Sequence, residues 1–143
     1  MKILVNGVAK DKSDYQKLSQ LLMQQREFML NHDNAQLLQA NQQQQDFLRQ
    51  IKKRAAFRYQ LLVSLGLEPN SEGISKLARK LPERLANHLL QQWRELELLL
   101  TTCKEANEVN GRILANQMES LALMLTPKAT ETYGEQRLAG FNG

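Results

Sequence analysis

The chain has 143 residues, of which 42% are apolar, 6% aromatic and 24% charged, and its formal net charge is +4. This length suits one domain, and the apolar fraction is high enough for a packed core, which excludes a fully disordered polymer. The few glycines, prolines and aromatic residues, with abundant Gln, Leu, Lys and Glu, predict an all-α protein. The modest positive charge permits a nucleic acid or an anionic membrane as partner without demanding either.

Cysteine usage and apolar runs indicate the compartment. The single cysteine, Cys103, excludes an intrachain disulfide framework and suits a reducing cytosol. The first residues, Met1 to Gly7, carry one lysine and a short apolar run, which is too brief for a signal peptide. No run approaches the roughly 20 apolar residues that span a bilayer. We therefore expect a cytoplasmic protein without membrane insertion.

The first predicted helix follows an N-terminal arm. Residues 1–10 are compatible with a short extended piece, because the run Lys2 to Gly7 resembles the first strand of a nucleotide-binding domain, but a frayed or docked arm is the expectation. No glycine-rich turn follows, so we predict no phosphate site there. Helix 1 is expected to begin at Asp11 or Ser13 and to end near Asn31 and His32. One face of it carries Tyr15, Leu18, Leu21, Leu22, Gln25, Phe28 and Met29.

The second predicted helix covers residues 34–65. Asp33 can cap its first turn, and Gly66 is a natural stop. Apolar residues recur near heptad spacing. The run Gln42 to Gln45 interrupts them, and we interpret it as a solvated face rather than an aggregation tract. The apolar positions are Leu37, Leu38, Leu48, Ile51, Ala55, Leu62 and Leu65.

Residues 67–73 combine proline, glycine and polar residues, which predicts a connection, followed by a short helix over about 71–80. Pro82 suits the first turn of a third long helix, which should reach Leu125 before Pro127 stops it. Its residues at three- and four-residue steps are Leu85, Leu89, Trp93, Leu96, Leu99, Leu100, Cys103, Asn107, Leu114, Met118, Leu121 and Leu125.

These elements predict an elongated, antiparallel three-helix bundle or coiled coil with a short linker helix and a mobile C-terminal tail. We expect one helical bundle domain over 1–125 and a flexible tail over 126–143. Trp93 is expected to anchor the core. The third helix, at about 64 Å, should overshoot its partners.

Catalytic and metal sites are not predicted. His32 and His88 lie far apart without ligands at metal spacing, Glu95 and Glu97 fall on different helix faces, and Cys103 is most simply a small core residue. No nucleophile and base pair presents itself. We therefore expect no enzyme activity and no cofactor.

A basic run lies on helix 2 and continues into the next segment. It could bind phosphates or an acidic protein partner, or form a solvated face with local ion pairs, which the pattern favours because aromatic residues interleave only at Phe57 and Tyr59. A nucleic-acid partner is therefore not expected. The run comprises Arg49, Lys52, Lys53, Arg54, Arg58, Lys76, Arg79, Lys80 and Arg84.

The second half of helix 3 has the sequence features of a binding surface. Gly111 stands inside the helical pattern, where glycine costs about 1 kcal/mol relative to alanine, so we expect a hinge or a close approach by another chain. Apolar residues here occupy more than one helix face, which favours partner docking or self-association. They are Val109, Ile113, Leu114, Met118, Leu121, Leu123, Met124 and Leu125.

The whole pattern resembles the FlgN family of type III export chaperones of the bacterial flagellum, over most of residues 12–135. The resemblance includes the Arg26 to Asp33 break, the basic helix ending at Arg58 to Gly66 and the short-helix linker. Its most specific parts are the Asn107-Glu-Val-Asn110-Gly111-Arg-Ile113-Leu114 motif and Tyr133-Gly134 in the tail. The family tail commonly continues Gly-Xaa-Xaa-Gly-Gln, whereas this chain lacks the second glycine.

The resemblance implies a cytosolic, ATP-independent chaperone of flagellum biogenesis and type III protein transport. It would bind the helical C-terminal ends of the two hook-filament junction (hook-associated) proteins, keep them unpolymerised and deliver them to the export gate. Tyr133 and Gly134 would contact cargo or gate. The implied cargo-binding residues are Asn107, Asn110, Gly111, Ile113, Leu114, Met118, Leu121 and Leu125.

Two other functions remain open from the residues themselves. A homo-oligomeric coiled-coil scaffold or adaptor would form a stable oligomer with an ordered C-terminus. A nucleic-acid binder working through Arg49 to Arg58 would lose affinity steeply with salt.

Overall fold

A computed structural model describes residues 2–125 of the chain. These residues form the helices α1 (Lys2–Leu30), α2 (Asn34–Ser64), α3 (Ser71–Arg79) and α4 (Glu83–Leu125). The predicted all-α class, with three long helices and a short linker helix, is confirmed over this range. The predicted tail, residues 126–143, lies outside the described residues.

The start of α1 differs from the prediction. The predicted start of helix 1 at Asp11 or Ser13 is wrong, because α1 is helical from Lys2, and the expected arm is docked as the first turns of this helix. Leu4, Val5 and Val8, at helical spacing, are buried in the core, and this tertiary packing stabilises turns that carry no capping signal. Asp11 does not cap a helix. It is 0% exposed and accepts hydrogen bonds from two arginines of α2.

The connection from α1 to α2 follows the capping prediction. The Asp33 carboxylate accepts a hydrogen bond of 3.2 Å from the Gln36 amide, which satisfies a free donor of the first turn of α2. His32 has a positive φ of 56°, and the Asp33 amide donates to the Phe28 carbonyl at 2.8 Å. The turn is therefore tight, and α2 runs back along α1.

The α2–α3 connection requires two glycines. Gly66 has a φ of 74°, in the left-handed region, and the Leu67 amide donates to the Leu62 carbonyl at 2.9 Å. Together these features end α2 in the way that is typical of a glycine after a helix. Gly73 lies in the first turn of α3, which Asn70 caps. A Cβ at Gly73 would lie 1.7 Å from the Glu68 carbonyl oxygen, so no larger residue fits there. The connection places the buried face of α3 against α4.

Hydrogen bonds define the register of the long helices. Side chains of α4 donate to backbone carbonyls of α1 at seven-residue steps, and each donor lies 88 residues after its acceptor. Helices α1 and α4 are therefore parallel, with the heptad repeat of a coiled coil, and α2 is antiparallel to both. The three pairs are Cys103 with Tyr15, Asn110 with Leu22, and Gln117 with Met29.

The character of the core changes along the bundle. At one end, which we call the apolar end, the first turns of α1, the last turns of α2, all of α3 and the first half of α4 enclose a hydrophobic cluster. Trp93 packs against this cluster as predicted. Towards the other end, the heptad positions of α4 change from Leu89 and Leu96 to Cys103, Asn110 and Gln117. We call this second region the polar end.

Candidate functional site

Buried amide side chains at the polar end lie beside a second hydrophobic cluster, which includes Leu21, Leu22, Ala40, Ile51 and Cys103. The Gln25 amide is 4% exposed and donates to Asn41 at 2.9 Å and to Gln44 at 2.8 Å. Asn110 is 7% exposed; it donates to the Leu22 carbonyl at 2.8 Å and accepts from Arg26 at 3.0 Å. Such bonds fix helix register, but each contributes only about 1 kcal/mol net, less than a buried leucine. At the polar end, these hydrogen bonds therefore define which residues of α4 pair with α1, but they stabilise the pairing less than buried leucines would.

A groove of about 200 Å³ opens between the three long helices at this polar end. It brings together four of the predicted binding residues, Asn107, Asn110, Gly111 and Leu114. A Cβ added at Gly111 would meet no atom within 4 Å, and α4 continues through this residue without a break. The structure shows no interruption that would mark a hinge, so a close approach by another chain is the expectation that remains.

The environment of Asn110 differs from the one that its predicted role in cargo binding requires. The residue was expected to face a partner, but it is buried and its amide hydrogen-bonds within the bundle. The reason is the heptad register, because Asn110 follows Leu89, Leu96 and Cys103 on the α4 face that contacts α1. Asn110 therefore supports the groove from beneath and does not present a free surface.

Most of the other predicted residues share one helix face. At 100° per residue, steps of three and four place them within a narrow stripe along α4, which we call the α4 stripe. Ile113 is half-buried and lies off this stripe. The stripe begins beside α2, where Gln44 contacts Asn107, and continues to the end of α4. Its members are Asn107, Gly111, Leu114, Met118, Leu121 and Leu125.

The last turns of α4 extend past the other long helices. Gln117 lies level with Met29, one residue before α1 ends, so the segment 118–125 continues for about 12 Å beyond the end of α1. We call this segment the overhang. Leu121 is 49% exposed and Met124 79% exposed, and Leu123 and Leu125 are also exposed. A second groove of about 430 Å³ runs between His32 and the overhang.

The basic run forms ion pairs where it meets α1. Arg54 pairs with Asp11 and Asp14, Arg58 pairs with Asp11 at 2.8 Å, and the Arg58 guanidinium lies 5.1 Å from the Trp93 ring centre. Burial lowers the pKa of Arg54, but its carboxylate hydrogen bonds outweigh this effect and raise the pKa overall. The predicted local ion pairs are confirmed at these two arginines. The remaining cations of the run are exposed.

The residues considered for chemistry do not form a site. Within 2–125, no group of three or more His, Cys, Asp or Glu side chains could hold a metal ion. Cys103 is buried, as predicted for a small core residue, and burial raises the pKa of its thiol. None of the helices in this range is both long and apolar enough to cross a membrane. Tyr133 and Gly134 lie outside the described residues.

The sequence did not reveal four polar side chains that hydrogen-bond between helices at the polar end. They are Arg26, Asn41, Gln44 and Gln117. These residues form no recognisable motif, because glutamine and asparagine also occur commonly on the solvated faces of helices. One signal was present. Asn110 and Gln117 continue the seven-residue series of Leu89, Leu96 and Cys103, and that series predicts buried positions.

Comparisons with known proteins agree with this architecture. A family model described as FlgN protein matches residues 1–136 and so covers α1 to α4. A crystal structure of a flagella synthesis protein FlgN from Pseudomonas aeruginosa is similar, with a TM-score of 0.75 and 26% sequence identity. The similarity covers 80% of this chain and 88% of that one. No curated protein matches the chain.

Proposed function

Since the chain belongs to the FlgN family of flagellar export chaperones, we propose that it binds the helical C-terminal segments of the hook-filament junction proteins in the cytosol. Binding keeps these cargo proteins from assembling early, and the complex delivers them to the export gate. The α4 stripe and the overhang form the cargo site. No covalent chemistry is needed, because reversible coverage of an apolar surface is sufficient for both holding and release.

The observation that supports this proposal most strongly is the exposed apolar surface of the overhang. Leu121, Leu123, Met124 and Leu125 are exposed on consecutive turns, and clusters of this kind on soluble proteins mark interaction sites. Leucine and methionine side chains adapt to different partners, which suits a chaperone with two cargo proteins. An amphipathic helix is the natural occupant, because its apolar residues repeat at the same three- and four-residue steps.

The register suggests where the cargo helix lies. The α4 stripe faces α2 at Asn107, but α2 begins at Asn34 and leaves the stripe uncovered from about Met118 onwards. A cargo helix seated there would occupy the position that a longer α2 would fill. Gly111 and Leu114 line the groove where α2 and α4 separate, and Gly111 has no side chain to obstruct the cargo helix. Tyr133 and Gly134 remain our proposed contacts for cargo or gate.

Calorimetric titration of the intact chain with synthetic C-terminal segments of both junction proteins tests this proposal. We expect binding by the native chain and its loss in Leu121→Asp, because a carboxylate in the contact would be buried without a partner. Leu98→Asp is a matched control, since Leu98 is also an exposed leucine of α4 but lies at the apolar end. Circular dichroism should show the same helix content in both variants.

Three results would count against the proposal. Loss of binding in Leu98→Asp with retention in Leu121→Asp would move the site to the apolar end. Unfolding of Leu121→Asp would place Leu121 in the core, contrary to its exposure. Absence of binding by the native chain would remove the cargo proposal altogether.

The same exposed surface is the basis of an alternative, a homo-oligomeric scaffold or adaptor in which the overhang of one copy covers that of another. Sedimentation velocity separates the two functions. The chaperone proposal predicts a species whose stoichiometry changes when the cargo segment is added. The scaffold function predicts a stable oligomer whose sedimentation does not change when cargo is added and which dissociates in the Leu121→Asp variant.

A further inference from the structure

A third groove lies at the apolar end, far from the overhang. It has a volume of about 360 Å³ and is lined only by the first turns of α1 and the last turns of α2. The α1 residues include Ile3, Gly7 and Lys10, and those of α2 include Lys53 and Phe57. The proposed cargo site uses none of these residues, so the groove needs a separate explanation.

The charges on the groove fall into two classes. Arg54 and Arg58 lie at its edge, but both are paired with the buried Asp11, and Arg54 also pairs with Asp14. Lys10 and Lys53 are exposed and form no salt bridge with any residue in 2–125. The rim therefore carries two uncompensated positive charges, one on each helix.

Between these lysines the surface is apolar and open. Ile3 is 69% exposed and Phe57 48% exposed, and both line this groove. Gly7 lies in the interior of α1, where glycine weakens a helix, yet a Cβ there would meet nothing within 4 Å. Within residues 2–125, no contact requires glycine at this position. Its effect is to leave the floor of the groove without a side chain.

We propose that this groove binds an acidic amphipathic helix of a partner protein. An apolar side chain of that helix would lie over Gly7, between Ile3 and Phe57, and its carboxylates would pair with Lys10 and Lys53. Charge complementarity decides the class of partner. The concave shape does not suit a flat anionic membrane, and two free cations on the rim are too few to follow the phosphates of a nucleic acid. This site does not depend on the proposed cargo function.

Fluorescence anisotropy with the full-length chain tests the proposal. The probe is a labelled synthetic helix of about five turns, with leucines on one face and glutamates on the other. A second probe replaces every glutamate by lysine. We expect the glutamate peptide to bind and the lysine peptide not to bind. Lys53→Glu should weaken binding about tenfold or more, and binding should fall as salt rises.

Two matched variants make the test specific. Lys52→Glu makes the same charge change on the neighbouring residue, which does not line the groove, and should weaken binding less than about threefold. Gly7→Leu fills the floor without changing charge and should abolish binding. Leucine is a better helix former than glycine, so the loss would not come from unfolding of α1, and circular dichroism checks this.

Several outcomes would overturn the proposal. These are failure of the glutamate peptide to bind, equal binding of both peptides, and binding that survives both Lys53→Glu and Gly7→Leu. Loss of peptide binding in Leu121→Asp would assign the peptide to the overhang. Binding to phosphatidylcholine vesicles containing phosphatidylglycerol that is lost in Lys53→Glu and in Gly7→Leu would make the groove a membrane site instead.

Discussion

The two ends of the bundle share one heptad register of α4 on α1, but the side chains at the heptad positions are apolar at one end and polar at the other. At the apolar end, Leu89 and Leu96 continue the heptad series and pack with α3 and the first turns of α1. At the polar end, the same series continues with Asn110 and Gln117, which hydrogen-bond to carbonyls of α1. Apolar burial stabilises more strongly than amide pairing. The comparison indicates that α4 contributes apolar burial at one end and mainly hydrogen bonds at the other, where a second hydrophobic cluster is built by α1 and α2 around Leu22 and Ile51.

The largest expected effect comes from one substitution made at both ends. Leu89→Ala should lower the free energy of unfolding by about 3 kcal/mol, because Leu89 is fully buried and its removal leaves a cavity. Leu121→Ala should lower it by less than about 0.5 kcal/mol, since Leu121 is half exposed. Urea unfolding followed by circular dichroism measures both. Similar losses at the two positions would remove the distinction between the ends.

A smaller loss of stability is expected from removing the buried amides Asn110 and Gln117, which hydrogen-bond α4 to α1. Asn110→Ala should lower the free energy of unfolding by about 1–2 kcal/mol, because it removes two hydrogen bonds and leaves the Arg26 guanidinium without its partner. The same urea assay applies, with Gln117→Ala, which removes one bond, as the milder control. A loss as large as that of Leu89→Ala would show that the polar end is packed as tightly as the apolar end.

Gly111→Ala should act in opposite directions on folding and on binding. It should raise the free energy of unfolding by up to about 1 kcal/mol, because alanine favours the helix and its Cβ meets no neighbour. It should also weaken cargo binding in calorimetry if the glycine allows close approach. Ala115→Gly is a useful reference, since Ala115 is buried and glycine there should only destabilise. Equal or tighter cargo binding by Gly111→Ala would contradict the role of Gly111.

The smallest effect is a pH dependence at Cys103, the first residue of the α4 series in the polar end. Burial raises the pKa of this thiol, so the folded state retains a proton that the unfolded chain releases. Its contribution is complete below the ordinary thiol pKa of about 8.5 and is lost as the pH rises through the folded-state value. The native chain should therefore lose stability relative to Cys103→Ala between neutral and strongly alkaline pH. Parallel pH profiles of the two proteins would contradict this assignment.

Much of the fold follows from local signals in the sequence. Asp33, Gly66 and Pro82 mark helix boundaries within one or two residues, because capping and φ requirements act locally. The start of α1 could not be predicted in this way. Residues Ile3 to Val5 are consistent with a strand or a helix, and burial against α3 and α4 selects the helix.

The candidate site was predicted less completely than the fold. The apolar residues from Leu114 to Leu125 form a periodic pattern that exceeds what one core face requires, and that excess indicates a surface. The resemblance to the FlgN family implies that Asn110 binds cargo, although the structure buries this residue. The seven-residue series through Leu89, Leu96 and Cys103 indicates that Asn110 is buried, whereas its pairing with Leu22, 88 residues away, is not visible in any local pattern.

Hydrogen exchange of the full-length chain, with and without the C-terminal segments of the junction proteins, tests the central claim most directly. The account predicts that backbone amides of residues 104–125 exchange faster than those of 83–103 in the free protein, because the polar end opens more readily. Added cargo should slow exchange most in residues 111–125. Uniform protection along α4 in the free protein, or protection by cargo confined to residues 83–103, would contradict it.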